Sequence, residues 1–231
     1  MSIPKIIIQS WKTKDIDKEF RSIRGHKVNL SHWTKELRDN NPDFEYKFFD
    51  DGEVVEFIKT NYPEYLDLFN ELGHGMNWDF FRYLAIYKYG GFYFDIDMEI
   101  NCSLSSLTEG HTAIFPKEWE DSGLSILKEQ NLLFLVGQYA FAATPKHPFI
   151  KQIIDNIIDP VFEADTWRDF EAQCGRGTKN FFRTGAVLVS QSYITYLKSA
   201  NPEITILEPT PQFDSQQFGN YGAHWAIGSW K

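Results

Sequence analysis

Apolar residues recur along this chain in two rhythms, one with the period of a strand and one with that of a helix. Three consecutive isoleucines inside Lys5–Ser10, followed by a polar break, predict a short buried strand. Leu30–Asp39 has helical spacing, with Ser31 placed as its N-cap. Asn41-Pro42-Asp43 predicts a turn into a second strand, Phe44–Phe49. Asp50-Asp51-Gly52 starts a helix near Glu53–Asn61, and Pro63 opens another to about Leu72. Asn77–Tyr89 is apolar on most faces, the pattern of a buried helix, and Gly90-Gly91 stops it before a strand at Phe92–Ile100. Further on, strands are predicted at Ala113–Phe115, Leu132–Val136, Gln138–Ala143 and Glu203–Leu207, and helices at Pro148–Ile158 and Thr184–Lys198. Helices alternating with strands predict the α/β class, with helices on both faces of a sheet. The order from Tyr46 to Phe94 has the look of a nucleotide-binding half.

Composition narrows the picture. At 231 residues one domain is expected, without repeat, low-complexity tract or linker. Acidic residues number 32 against 23 basic, a net charge of −9, which argues against a basic surface for nucleic acid. It leaves room for one anion held through a metal. Cys102 and Cys174 permit one bridge at most and lack metal-ligand spacing, so both are expected as buried thiols in a reducing compartment. No charged and apolar leader precedes the first strand, and stretches such as Asn131–Ala143 are too short to span a bilayer. A soluble, cytoplasmic chain without a transmembrane segment is therefore expected, and the sequons at Asn29 and Asn101 carry little weight. The Arg21, Arg24, His26, Lys27 cluster offers peripheral contact with a membrane or an anionic acceptor, or else is a solvated helix end.

The densest chemistry lies between Asn77 and Glu99. Asp79 and Arg82 share a helical face, and a buried charge needs such a partner. In the strand that follows, Phe92, Phe94, Ile96, Met98 and Ile100 alternate with Tyr93, Asp95, Asp97 and Glu99. Three acids on one face repel unless solvated or bound to a cation, and Mg²⁺ or Mn²⁺ takes one or two protein carboxylates plus phosphate oxygens. Asp-x-Asp alone is weak, since Asp15-Ile-Asp17 repeats it on a polar segment. Only the composite of Asp79, Arg82, Tyr93, Asp95 and Asp97 is specific.

That composite, Asp-x-x-Arg-Tyr followed by Tyr-Gly-Gly-x-Tyr-x-Asp-x-Asp, resembles the sugar-nucleotide site of glycosyltransferase family 32, with a related arrangement in the large clostridial glucosylating toxins. Ile3-Pro-Lys-Ile-Ile-Ile-Gln-Ser-Trp-Lys12 is similar to the family's opening, with Ile8 where His is usual. Asn41–Asp51 is similar to its second strand. The resemblance spans about residues 3–100. It implies a single GT-A (Rossmann-like) domain, a mixed sheet flanked by helices, with residues 1–100 as the nucleotide-sugar half and 101–231 as the acceptor half and closing loop. It also implies retaining transfer of a hexose from a UDP- or GDP-sugar to a glycan, glycolipid or protein hydroxyl, with Mn²⁺ or Mg²⁺ as cofactor. By that likeness Asp97 binds the metal directly, and Asp95 meets the ribose and sugar and the metal directly or through water. Asp79 and Arg82 hold sugar hydroxyls, Tyr93 lines the nucleoside pocket, and Trp11 lies against the base.

Gly219–Lys231 forms a second cluster and resembles the family's closing segment, with Ala223 where the first His often stands. The likeness implies His224 as a third metal ligand and Ser229 and Trp230 as contacts to the diphosphate. The plain alternatives remain a solvated His and core tryptophans, Trp11 included. Gln138–Pro148 and Arg183–Ala186 are similar to the family's middle segments, and Gln138 is the candidate facing the anomeric carbon. No carboxylate is placed as a covalent nucleophile, so front-face displacement is favoured over a glycosyl-enzyme. Two other functions stay open: a metal-dependent phosphohydrolase using Asp95 and Asp97, and a non-catalytic carbohydrate-binding module.

Overall fold

The computed structural model describes residues 2–22, 25–73, 75–119, 128, 133–162, 171, 178–198, 203–211 and 216–228. Its central sheet is built from β1 (Ile6–Ser10), β4 (Glu45–Phe49), β5 (Gly91–Phe94), β7 (Ala113–Trp119), β8 (Leu135–Val136), β9 (Ala140–Ala143) and β10 (Thr205–Leu207), in the order β10-β7-β9-β5-β1-β4 with β8 beside β7. β1 runs parallel to β4 and β5, β9 is antiparallel to β5 and β7, and β10 is parallel to β7. β2 (Glu19–Arg21) and β3 (Lys27–Asn29) form a hairpin. β6 (Met98–Ile100), β12 (Gly222–His224) and β11 (Gln216–Gln217) form a small antiparallel sheet.

Alternation along the central strands sorts side chains onto two faces. Ile8, Tyr93, Phe115, Phe141 and Ala143 pack in one cluster with α2 (Asp51–Asn61), α3 (Leu66–Leu72), α4 (Met76–Tyr89), α5 (Pro148–Ile158) and α7 (Ala186–Tyr196). Ile7, Phe92, Phe94, Ile114 and Ala142 pack in another with Leu37 of α1 (Leu30–Asn40) and with Met98 and Ile100 of the small sheet. The sheet is thus covered on both sides, which is why β5 is buried throughout. Gly91 has φ +90°, and a Cβ there would strike the Ile6 backbone, so β1 and β5 can lie together only with glycine at this place. None of the described helices is long and apolar enough to cross a membrane.

Several sequence expectations shift. Asn29, not Ser31, caps α1: its side chain accepts the His32 N–H at 3.0 Å, while Ser31 donates to Asn29. Asp50 and Glu53 form a capping box, so α2 starts earlier, at Asp51. The expected helix over 184–198 is α7, starting at Ala186, and an unexpected helix, α6 (Thr178–Arg183), precedes it across a break at Thr184-Gly185. A Cβ on Gly185 would meet the backbone of Asn180 and Phe181. The Arg21–Lys27 cluster sits on the β2–β3 hairpin rather than a helix end, with Arg21 donating to the Gly25 carbonyl. Cys102 is half-buried, not buried; Arg24 and Cys174 lie outside the described residues.

Candidate active site

The most consequential shift is in the expected strand Phe92–Ile100. It is two strands in two sheets, β5 and β6, parted by a turn at Asp95-Ile96-Asp97 that the Met98 N–H closes onto the Asp95 carbonyl at 3.0 Å. Strict alternation along one strand is lost there. The two carboxylates instead sit where the chain leaves the central sheet, at the C-terminal end of β5. Because β1 is parallel to β5, Ser10 and Trp11 reach the same edge. Because β9 is antiparallel, the residues before it, Gln138 and Tyr139, reach it too. A crevice at the carboxyl ends of parallel strands is where open α/β sheets take ligands.

Two charged groups meet at this edge. In the first, Arg82 Nη2 lies 2.8 Å from Asp79 Oδ1 and 3.3 Å from Asp95 Oδ1, while its Nη1 donates to the Gln138 carbonyl at 3.1 Å. The guanidinium also lies 5.0 Å from the Tyr93 ring centre, and Tyr93 reaches Ser10 at 3.3 Å. Thr184 donates to the other Asp79 oxygen at 2.7 Å, and the Tyr83 hydroxyl lies 2.5 Å from Gln138 Oε1 and 2.9 Å from the Thr184 carbonyl. Among the described residues the Arg82 Nε, buried, makes no hydrogen bond.

In the second, His224 Nε2 lies 3.2 Å from Asp97 Oδ1 and 4.0 Å from Asp95 Oδ2. The other Asp97 oxygen accepts the Ile227 N–H at 2.8 Å. His224 reaches this place because β12 pairs with β6, setting His224 opposite Met98. Its ring is stacked on Tyr139 at 4.7 Å. Glu99, the third acid of the predicted face, turns elsewhere and accepts the Trp225 indole N–H at 2.8 Å.

Electrostatics follow from this packing. Burial pushes the Asp95 carboxyl up to about 6, opposed by Arg82 and helped by Asp97. Asp79 is raised by burial as well, against the pull of Arg82 and of hydrogen bonds from Thr184 and Gln138. Burial works against charge on Asp97 and His224 too, yet their pairing wins: Asp97 is held below the usual carboxylate range and His224 above the usual imidazole.

One oxygen of Asp95, one of Asp97 and one nitrogen of His224 lie within 4.8 Å of one another. The His224 nitrogen is 3.2 Å from Asp97 and 4.0 Å from Asp95. Neighbouring ligands of a six-coordinate ion held at about 2.1 Å sit roughly 3 Å apart, so the three side chains could hold a small divalent cation by drawing slightly together. Two carboxylates and an imidazole are a donor set for a divalent cation. With His224 neutral, the carboxylates of Asp79, Asp95 and Asp97 against one guanidinium leave two negative charges, which one divalent cation balances.

Other expected residues sit as follows. Trp11 is half-buried, edge-on to Phe20 at 5.7 Å and under the Lys12 ammonium. Ser229 and Trp230 lie outside the described residues. Asp15 and Asp17 are exposed, Asp15 facing Lys18 and Asp17 accepting from Ser31, so the second Asp-x-Asp is a solvated loop. A cavity of about 300 Å³ lined by Lys14, Ile16, Thr34, Arg38, Tyr46 and Phe48 includes none of the charged site residues. Sequence reasoning missed the supporting roles of Tyr83 and Thr184. Tyr83 adjoins Arg82 in the motif, and Thr184 lies at a Thr-Gly break, which was the available signal.

Residues 27–114 match the model of the glycosyltransferase sugar-binding region containing the DXD motif. The chain belongs to this glycosyltransferase family. Within it, the chain is 32% identical over 157 residues to inositol phosphoceramide mannosyltransferase 3 of Schizosaccharomyces pombe, covering 68% of this chain and 37% of that protein. It is 29% identical over 156 residues to mannosyl phosphorylinositol ceramide synthase SUR1 of Saccharomyces cerevisiae, covering 67% and 35%. The chain spans little more than a third of the length of these relatives. In architecture it is similar to the PaToxG glycosyltransferase, with a TM-score of 0.54 at 15% identity over 84% of this chain and 70% of that one. The mixed sheet flanked by helices is the GT-A arrangement.

Proposed function

We propose that this chain moves a hexose, mannose by preference, from a UDP- or GDP-sugar to a hydroxyl of a glycolipid or glycan, with retention at the anomeric carbon. The observation that carries this reading is the meeting of Asp95, Asp97 and His224 beside the Asp79–Arg82 pair at the C-terminal edge of β5. The relatives' names favour mannose and an inositol-bearing lipid acceptor.

Asp97, His224 and Asp95 would hold Mn²⁺ or Mg²⁺, which when bound neutralises charge gathering on a departing diphosphate. The remaining work falls to side chains of the chain itself. Arg82 and Asp79, held by Thr184 and Gln138, present a fixed pattern of donors and acceptors to sugar hydroxyls, and the buried Arg82 Nε is a donor awaiting an acceptor. Gln138, whose amide oxygen faces the Tyr83 hydroxyl, is held near the sugar as the polar group for front-face displacement. Trp11, at the end of β1, is the candidate surface for the base, a contact worth on the order of 1–3 kcal/mol. Residues 1–100 would do most donor binding and 101–231 most acceptor binding, within one GT-A domain. Thr184 and His224 nevertheless complete the donor side from the second half.

Family membership and the buried Arg82 between two carboxylates favour transfer over the phosphohydrolase and binding-module readings. The test is a thermal-shift screen of UDP- and GDP-sugars with Mn²⁺ or EDTA, followed by measurement of nucleoside diphosphate release. Binding stabilises by mass action, so one donor is expected to raise the melting temperature only with Mn²⁺. Equal responses in EDTA would overturn the metal-assisted reading, and no response to any donor would overturn the transferase reading.

A further inference from the structure

Behind His224, on the side of the ring away from Asp97, stand two groups to which the reaction proposed above assigns nothing. Gln216 of β11 lies with its amide oxygen 2.7 Å from His224 Nδ1. The amide nitrogen of the same side chain donates to Glu118 of β7. Glu118 reaches the site edge because β7, antiparallel to β9, runs in the same sense as β5.

The chemistry of each group settles the next. Burial raises Glu118 to about 7, and above that pH it is a carboxylate, which only accepts. It then turns the Gln216 NH₂ toward itself and leaves the carbonyl oxygen for His224. A carbonyl oxygen also only accepts, so the proton of a neutral His224 must sit on Nδ1. The lone pair is then on Nε2, the atom that faces Asp97 and Asp95. Tyr139 stacks parallel to the imidazole, with 6° between the planes, and its hydroxyl donates to the Gln217 carbonyl at 2.9 Å, so ring plane and strand are held together.

We propose that Gln216, oriented by Glu118, is the positioning residue that commits His224 to the cation-ligating tautomer; the inference rests on the metal-site reading above. Partners of this kind fix ring orientation and raise ligand basicity, and losing them weakens metal binding by about 10- to 100-fold.

The test measures Mn²⁺ binding alone, from the electron paramagnetic resonance signal of free Mn²⁺ at about pH 8, with melting temperature in EDTA recorded for each protein. Gln216→Leu is expected to raise the Mn²⁺ Kd by about 10- to 100-fold while the EDTA melting temperature stays near wild type. The double exchange E118Q/Q216E keeps an acceptor against Nδ1 and a donor behind it, and is expected to bind Mn²⁺ within about threefold of wild type. If His224→Ala weakens binding and Q216L does not, the positioning role is overturned while the metal site stands. If wild type binds no Mn²⁺, or H224A binds it equally well, the metal reading falls and this inference with it. Should Q216L fail to fold, the double exchange decides: a folded E118Q/Q216E protein with affinity down tenfold or more overturns the proposal.

Discussion

Arg82 and Asp95 are joined by an ion pair of 3.3 Å that ties the first turns of α4 to the end of β5. The same guanidinium holds Asp79 at 2.8 Å, and Arg82 is only 7% exposed. Removing one member of a buried ionic cluster strands the others, at a cost of about 3–5 kcal/mol. Arg82→Met is expected to lower unfolding stability by that order in urea titration. The double variant D79N/R82M should recover part of the loss, because one stranded carboxylate is gone. A single variant as stable as wild type would show that the cluster is solvated.

Asp97 carries the other half of the argument, with His224 at 3.2 Å and the Ile227 N–H at 2.8 Å. Asp97→Asn is predicted to reduce transfer by about 100-fold or more, as loss of direct charge stabilisation does, and to abolish Mn²⁺-dependent donor binding. Asp15→Asn, in the solvated copy of the motif, should leave both unchanged. Calorimetric donor titration of the two variants with Mn²⁺ separates the assignments, and the reverse pattern would transfer the role to Asp15.

His147 gives a pH prediction away from the charged site. Its Nδ1 accepts the Phe149 N–H at 3.1 Å at the start of α5, and Nε2 faces Thr112 at 3.2 Å, an arrangement of the neutral ring. Burial holds this imidazole down, at about 4 against an ordinary 6.5. The unfolded chain thus binds the extra proton first. This contribution to stability is complete above about pH 6.5 and is lost as pH falls toward 4. His147→Asn keeps a capping acceptor without that titration. Its melting temperature should fall less than wild type's between those pH values, and parallel curves would refute the assignment.

Gly222 tests how β12 delivers His224. A Cβ at this position would strike the Glu99 carbonyl and the Ile100 side chain on β6. Gly222→Ala should push the strands apart and weaken Mn²⁺ binding about tenfold or more, in line with the loss of ligand positioning. The central sheet should persist, as read by far-ultraviolet circular dichroism. Unchanged Mn²⁺ affinity would mean that His224 does not need the β12–β6 pairing.

Much of the central sheet was legible because its strands carry unbroken apolar runs and its helices carry glycine or proline punctuation. The isoleucine run of β1, the Asp50-Asp51-Gly52 start of α2 and the Gly90-Gly91 stop are local signals, and local physics decides them. The turn at Asp95–Asp97 was not legible. Perfect alternation through Ile100 describes an unbroken strand equally well, and only pairing of β6 with a strand more than a hundred residues later draws the chain away. Hydrogen bonds from Thr184 to Asp79 and from His224 to Gln216 span similar reaches of chain or join isolated polar residues, so no periodicity announces them. Asp79, Arg82, Asp95 and Asp97 were legible as a group because charges inside an apolar stretch demand partners.

The Asp97 carboxylate and the Ile227 N–H that caps it are 130 residues apart in sequence. On a ribosome working from one end, Arg82 and all three aspartates emerge early and meet their long-range partners late. Until residues 216–228 are made, the growing chain has two carboxylates and no imidazole beside them. The family motif is then already present, but the proposed cation site lacks His224. Completion of the Asp95–Asp97–His224 cluster is thereby coupled to completion of the small sheet, the last part of the described chain to be made.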